Sequence, residues 1–249
     1  MKIVKHIPNT ITSMNLFLGI MGVICTFDGD FKTAFILMLA AAVCDFCDGF
    51  AARLLGAYSN VGKELDSLAD MVSFGLLPAI MLHRLMLTIN GESALCYIPL
   101  IIAILSAIRL AKFNVDERQT ENFIGLATPA CAMICGSFAY YVSNDPESVL
   151  HSWAATTYFI PVCAVILSLL LVSEIPMFSM KFKKGMKSGD HINMLRIAFG
   201  AIIIASCTVV AIIGLNWSMI VLVAFVSYIV LNLIGLLVFY DYLKYDLSF

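Results

Sequence analysis

Eight mostly apolar runs follow one another almost without pause through this chain, near residues 11–27, 33–56, 69–89, 95–113, 126–143, 154–172, 195–214 and 218–239. Each is roughly 17 to 25 residues long, the length that crosses a bilayer as a helix. A chain built this way has too little polar surface to face water. Of its 249 residues 61% are hydrophobic and 13% charged, against about 45–50% and about 25% in soluble domains. The pattern predicts an all-α, polytopic membrane helical bundle with about eight transmembrane helices. Connections such as Asp28 to Lys32 and Leu215 to Trp217 are so short that successive helices must run antiparallel.

No repeat, low-complexity tract or long linker divides the chain, so residues 1–249 read as one integral membrane domain. The polar-looking stretches are 57–68, 114–125, 144–153 and 173–194. Lys2, Lys5 and His6 precede the first run, but no small-residue cleavage pattern follows it, so it reads as a retained helix. With the N-terminus inside, every Lys and Arg except Lys32 and Arg84 falls on the cytoplasmic side, as the positive-inside rule requires. The expected location is the cytoplasmic (inner) membrane. The basic loop of Lys181, Lys183, Lys184 and Lys187 serves that topology, with attraction to anionic headgroups as the other reading. A net charge of -2 without a clustered basic face excludes a nucleic-acid partner. The eight cysteines lie almost entirely within apolar runs and read as small buried side chains; Cys44 and Cys47 form a CxxC that no second pair completes. His83 and His191 have no partners at ligand spacing.

Asp45, Asp48, Asp66 and Asp70 are the carboxylates that this pattern does not explain. A charged group in an apolar helix costs at least about 2.5 kcal/mol at mid-bilayer, so a function is the default expectation. Asp45 and Asp48 are three apart and Asp66 and Asp70 four apart, so each pair projects from one face of its helix. The short segment 57–65 lets the two faces turn toward each other. Converging carboxylates repel unless cations join them. Oxygen ligands without His point to hard divalent ions, Mg²⁺ or Mn²⁺, and four aspartates suffice for two ions. A two-ion site suits phosphoryl transfer. Gly49 and Gly62 would let a ligand or a neighbouring backbone approach, the alternative being simple helix packing. Arg53 offers a planar fork that grips phosphate bidentately.

Read as one pattern, D45-xx-D48-G49-xx-A52-R53-x8-G62-xxx-D66-xxx-D70 resembles the signature of the CDP-alcohol phosphatidyltransferase family without a departure. The resemblance implies transfer of a phosphatidyl or related group from a CDP-linked donor to an alcohol. It implies a two-metal site from the four aspartates, Asp70 doubling as the base, and nucleotide-pyrophosphate contacts from Gly49, Arg53 and Gly62. It also implies a homodimer.

Further stretches resemble the serine-using branch of that family: Ile7 to Gly19, Lys63 to Ala79, Arg109 to Val115 with Gly125 to Ala130, and Ser173 to Lys183. Together they cover most of residues 7–183 and leave 195–239 as two extra spans. Ala127 departs from the proline of the branch's GLPTPA-like segment. The expected substrates are CDP-diacylglycerol and L-serine, with glycerol 3-phosphate or inositol as alternative acceptors. Arg109 and Lys112 read either as anchors for the acceptor or lipid phosphate, or as snorkelling cations; Asn114 reads as an acceptor contact. Thr12 and Asn15 share a helix face and read either as nucleotide contacts or as interhelical hydrogen-bonders. Asn9 reads as an N-cap. An ion path would carry acids at several depths, whereas these gather at one, which disfavours a channel or transporter.

Overall fold

The computed structural model describes residues 6–115, 123–177 and 191–238. Its helices are α1 (Ile7–Phe27), α2 (Phe31–Leu55), α3 (Asn60–Asp70), α4 (Leu77–Asn90), α5 (Ile101–Val115), α6 (Thr128–Asn144), α7 (Val149–Ala154), α8 (Phe159–Val172), α9 (His191–Ile213) and α10 (Ser218–Val238). A π-helical segment, Met71–Leu76, joins α3 to α4, and a 3-10 helix, Ala94–Leu100, leads into α5. Beyond helix, the described residues hold a two-residue antiparallel pairing of β1 (Phe123–Ile124) with β2 (Pro176–Met177). The all-α expectation is met.

Among the described residues, six helical stretches are long and apolar enough to cross a membrane: Ile7–Phe27, Phe31–Leu55, Asn60–Asn90, Ala94–Val115, Leu195–Ile213 and Ser218–Leu236. This is a multi-pass membrane protein. The other two apolar runs are also helical but shorter, α6 with 17 residues and α8 with 14. A turn at residues 155–158 cuts α7 from α8, and Pro129 opens α6 late, so six of the eight expected spans stand at full length among the described residues.

Turn chemistry explains the antiparallel order. Gly29 and Gly214 take left-handed backbone (φ 81° and 76°) between α1 and α2 and between α9 and α10, a conformation glycine enters without a Cβ clash. Asp30 opens α2 by accepting the Thr33 amide at 2.9 Å. At the other end of α1 the expectation for Asn9 is corrected. Pro8 presets the helical backbone, His6 takes the N-cap position without a side-chain bond, and Asn9 lies inside the helix.

α6 is the central element, buried along most of its length and packed against α2, α4 and α10. Phe35, Met38, Phe74, Met81, Leu85 and Ile102 fill the space around it. Trp217, in the turn before α10, stacks on Phe35 at 5.5 Å and meets Tyr140 in a tilted contact at 5.7 Å, seating the last helix pair on the bundle. Elsewhere the surface is apolar: Phe46 is 69% exposed, Ile204 70% and Ile212 78%. Such contiguous apolar area belongs against lipid rather than water.

Among the described residues, Arg84 falls at the opposite end of the bundle from the acidic cluster. Its Nη2 donates to the Phe27 carbonyl at 3.2 Å and its guanidinium sits 5.6 Å from the Phe27 ring. It thus neutralises the negative end of α1.

Candidate active site

α2 ends at Gly56, whose left-handed backbone (φ 57°) closes the helix. Ser59 then opens α3, its hydroxyl accepting the Gly62 amide at 3.0 Å. The polar stretch expected at 57–68 is therefore a tight turn followed by helix from Asn60, because the Ser59 cap extends the third helix outward past its apolar run. That turn lays α3 beside the end of α2, and the two acidic faces meet.

Carboxylate oxygens of Asp45, Asp48 and Asp66 lie within 4.8 Å of one another. Asp48 is 5% exposed and Asp70 9%. Asp48 Oδ2 and Asp66 Oδ1 are buried without a hydrogen-bond partner among the described residues. Two orphaned carboxylate oxygens in so tight a group are costly. A hard cation satisfies both at once, and the donor set is entirely oxygen.

Asp70 is bound differently. One turn beyond Asp66, it lies alongside Asp45, and its Oδ1 accepts the Asn15 amide at 3.2 Å. Asn15 is fully buried, and its backbone carbonyl accepts the Ser73 hydroxyl at 3.0 Å. Of the two readings for Asn15, the structure places it in an interhelical bond. Thr12 donates to the Pro8 carbonyl at 3.0 Å and lies beside Asp48.

The two glycines separate. A Cβ built on Gly49 meets nothing within 4 Å, so the space over it is open to a ligand. A Cβ on Gly62 would lie 2.9 Å from both Asn9 Oδ1 and Ser59 Oγ, so this glycine lets α1 approach α3. Arg53 is exposed, with its Nε held by the Gly49 carbonyl at 3.0 Å.

Arg109 is not a snorkelling cation. It is 8% exposed, its Nη1 donates to the Thr128 hydroxyl at 3.0 Å, and it lies 5.6 Å from the Phe113 ring. Asp70 is the carboxylate within its electrostatic reach, and its Nε has no acceptor among the described residues. Lys112 is exposed at the same helix end, as a snorkelling side chain would be. Asn114 is engaged by the protein itself: its Nδ2 donates to the Ser67 hydroxyl at 2.9 Å and its carbonyl accepts Lys63 Nζ at 2.8 Å. Arg118 and the basic loop of Lys181, Lys183, Lys184 and Lys187 lie outside the described residues, as do Lys2 and Lys5.

Sequence reasoning missed the π-helical segment directly after Asp70. Its signal was present: Pro78 has no amide to donate and its ring crowds the carbonyl four residues back, which a locally widened helix accommodates. It also missed Lys63 and Ser67, ordinary polar residues whose partner lies 51 and 47 positions away.

Residues 5–183 match the family model described as CDP-alcohol phosphatidyltransferase. Among curated proteins, the chain is 34% identical over 184 residues to the CDP-diacylglycerol–serine O-phosphatidyltransferase of Mycobacterium leprae, covering 70% of this chain and 58% of that protein. It is 34% identical over 139 residues to the enzyme of the same name from Bacillus subtilis, covering 55% and 77% respectively. The archaetidylserine synthase of Methanothermobacter thermautotrophicus is 34% identical over 134 residues, covering 53% of this chain and 57% of that protein. The matches thus span under two thirds of the Mycobacterium leprae and Methanothermobacter thermautotrophicus proteins.

Proposed function

Because the chain belongs to the CDP-alcohol phosphatidyltransferase family, we propose that it transfers the phosphatidyl group of CDP-diacylglycerol to the hydroxyl of L-serine, yielding phosphatidylserine and CMP. The observation that carries this reading is the meeting of Asp45, Asp48 and Asp66 within 4.8 Å, with Asp70 alongside. The names of the relatives supply the acceptor.

In this mechanism Asp45, Asp48, Asp66 and Asp70 would hold two divalent ions, Mg²⁺ or Mn²⁺. Such ions, when bound, neutralise the donor pyrophosphate and offset charge on the transferring phosphorus. The remaining steps belong to the chain. Asp70 takes the serine hydroxyl proton on a carboxylate oxygen, with the Asn15 amide fixing the carboxylate through Oδ1. The serine oxygen attacks the phosphorus bearing the diacylglycerol, the phosphorus–oxygen bond to CMP breaks in line, and the electron pair leaves on the CMP phosphate. Arg53 receives that phosphate bidentately, and the open space over Gly49 admits it close to the backbone. Arg109, buried beside Thr128 and within electrostatic reach of Asp70, binds the serine carboxylate.

Arg109, buried beside Thr128, offers a fork that matches a carboxylate. The distribution of Lys and Arg supports placing the N-terminus and the acidic end in the cytoplasm, where serine and CMP are soluble while both lipids stay in the bilayer. The family also supports a homodimer.

The test is product identification. Membranes holding the protein are given CDP-diacylglycerol, Mg²⁺ or Mn²⁺, and in turn serine, glycerol 3-phosphate and inositol. CMP release dependent on serine is expected; release with another alcohol reassigns the acceptor, and none with any alcohol rejects the transferase reading.

A further inference from the structure

α3 carries two of the four aspartates, yet it is held unevenly. On one side it packs closely on α1, where Gly62 meets Asn9 and Asp70 meets Asn15. On the other side α5 approaches, and two hydrogen bonds join the helices: Lys63 Nζ to the Asn114 carbonyl at 2.8 Å and Asn114 Nδ2 to the Ser67 hydroxyl at 2.9 Å. Lys63 and Ser67 are four apart and share one face of α3, and the Ser67 hydroxyl itself donates to the Lys63 carbonyl at 3.3 Å. That face lies about 100° around the helix from the one bearing Asp66 and Asp70, since neighbouring residues are separated by that angle. A tie there sets the rotation of α3 about its own axis. Rotation in turn decides whether Asp66 stays within 4.8 Å of Asp45 and Asp48.

We infer that Asn114, acting through Ser67 and together with Lys63, is a positioning residue that holds Asp66 in the metal-binding geometry rather than a contact for the acceptor. Asn114 gives its side-chain Nδ2 to Ser67 and its backbone carbonyl to Lys63, so both side chain and main chain tie the end of α5 to α3. Its position at the end of α5, five residues after Arg109, couples the acceptor side of the site to the metal side through one short segment. This inference rests on the proposed function only in taking the aspartates to be metal ligands.

The test reads metal binding apart from turnover. Full-length protein in lipid nanodiscs, free of both substrates, is titrated with Mn²⁺ and followed by electron paramagnetic resonance, for wild type, Ser67→Ala, Asn114→Ala and the double variant. Residues that orient metal ligands typically cost 10- to 100-fold in metal affinity when removed, so each single variant should bind Mn²⁺ about tenfold more weakly. The double variant should be no weaker than either, because both changes delete one bond. Serine KM, measured at saturating Mn²⁺, should stay within twofold. Mn²⁺ affinity within twofold of wild type in Ser67→Ala overturns the inference even if Asn114→Ala does not fold. A raised serine KM with unchanged Mn²⁺ binding also overturns it, making Asn114 an acceptor contact. If wild type binds Mn²⁺ but releases no CMP with serine, the transferase reading fails, and the clasp is still decided by the titration.

Discussion

Asp70 is set apart from the other three aspartates by its neighbours, and its role follows from them. Asp45, Asp48 and Asp66 crowd together, Asp48 and Asp66 each with an orphaned oxygen, whereas Asp70 has one oxygen fixed by Asn15. Asp70→Asn should insert and elute normally on size-exclusion chromatography, with kcat reduced by about 10²- to 10⁴-fold, the usual worth of a positioned base, and Asp66→Asn, which removes a metal ligand, should likewise insert yet lose turnover; near-normal turnover in either would refute the assignment. Arg53→Lys loses the planar fork and should raise the apparent KM for CDP-diacylglycerol by roughly tenfold, about one charge-assisted hydrogen bond. The two glycines, alike in sequence, should part experimentally. Gly49→Ala adds a methyl group to open space and should keep or slightly raise the melting temperature, since alanine favours helix by up to about 1 kcal/mol, while weakening CDP-diacylglycerol binding. Gly62→Ala pushes on Asn9 and should lower the melting temperature.

Among the elements, the helix from Asn60 to Asn90 is the one whose form matters most to the site. It enters with a polar first half, widens into a π segment after Asp70, and continues as an apolar span. The widening turns Ser73 onto α1, where its hydroxyl holds the Asn15 carbonyl and Gly19 lies directly opposite. A Cβ on Gly19 would fall on the Ser73 hydroxyl and lie 2.9 Å from the Ser73 Cα, a backbone atom that no rotamer change can move aside. Gly19→Ala should therefore destabilise the protein by about 1–3 kcal/mol, the usual cost of overpacking, visible as a lower melting temperature in detergent. It should also lower kcat through Asn15 and Asp70, because the same contact positions both.

For the whole molecule, the chief consequence is polarity between its two ends. One end gathers the aspartates, Arg53, Lys63, Arg109 and Lys112; the other carries Asp30, Arg84 and Gly91. In sealed right-side-out vesicles, a membrane-impermeant thiol reagent should label Gly91→Cys and leave Lys63→Cys unlabelled until the vesicles are opened, in a background with the exposed native thiols Cys47 and Cys207 replaced by serine. The reverse pattern would invert the proposed orientation. Arg84, which breaks the positive-inside bias, is accounted for by its bond to the end of α1.

What could be read from the residues alone was whatever rests on composition and local spacing. Apolar runs of spanning length report burial in lipid wherever they pack, and residues three or four apart share a helix face whatever that face meets. The membrane bundle and the convergence of the aspartates were legible for that reason. Tertiary structure decided everything that depends on which faces meet: that Asn15 bonds Asp70, that Asn114 holds Ser67, that Arg109 is buried, and that Gly49 and Gly62 do different work. Those contacts join residues 47 to 55 positions apart, and no local pattern encodes a hydrogen bond closed only when three helices have packed.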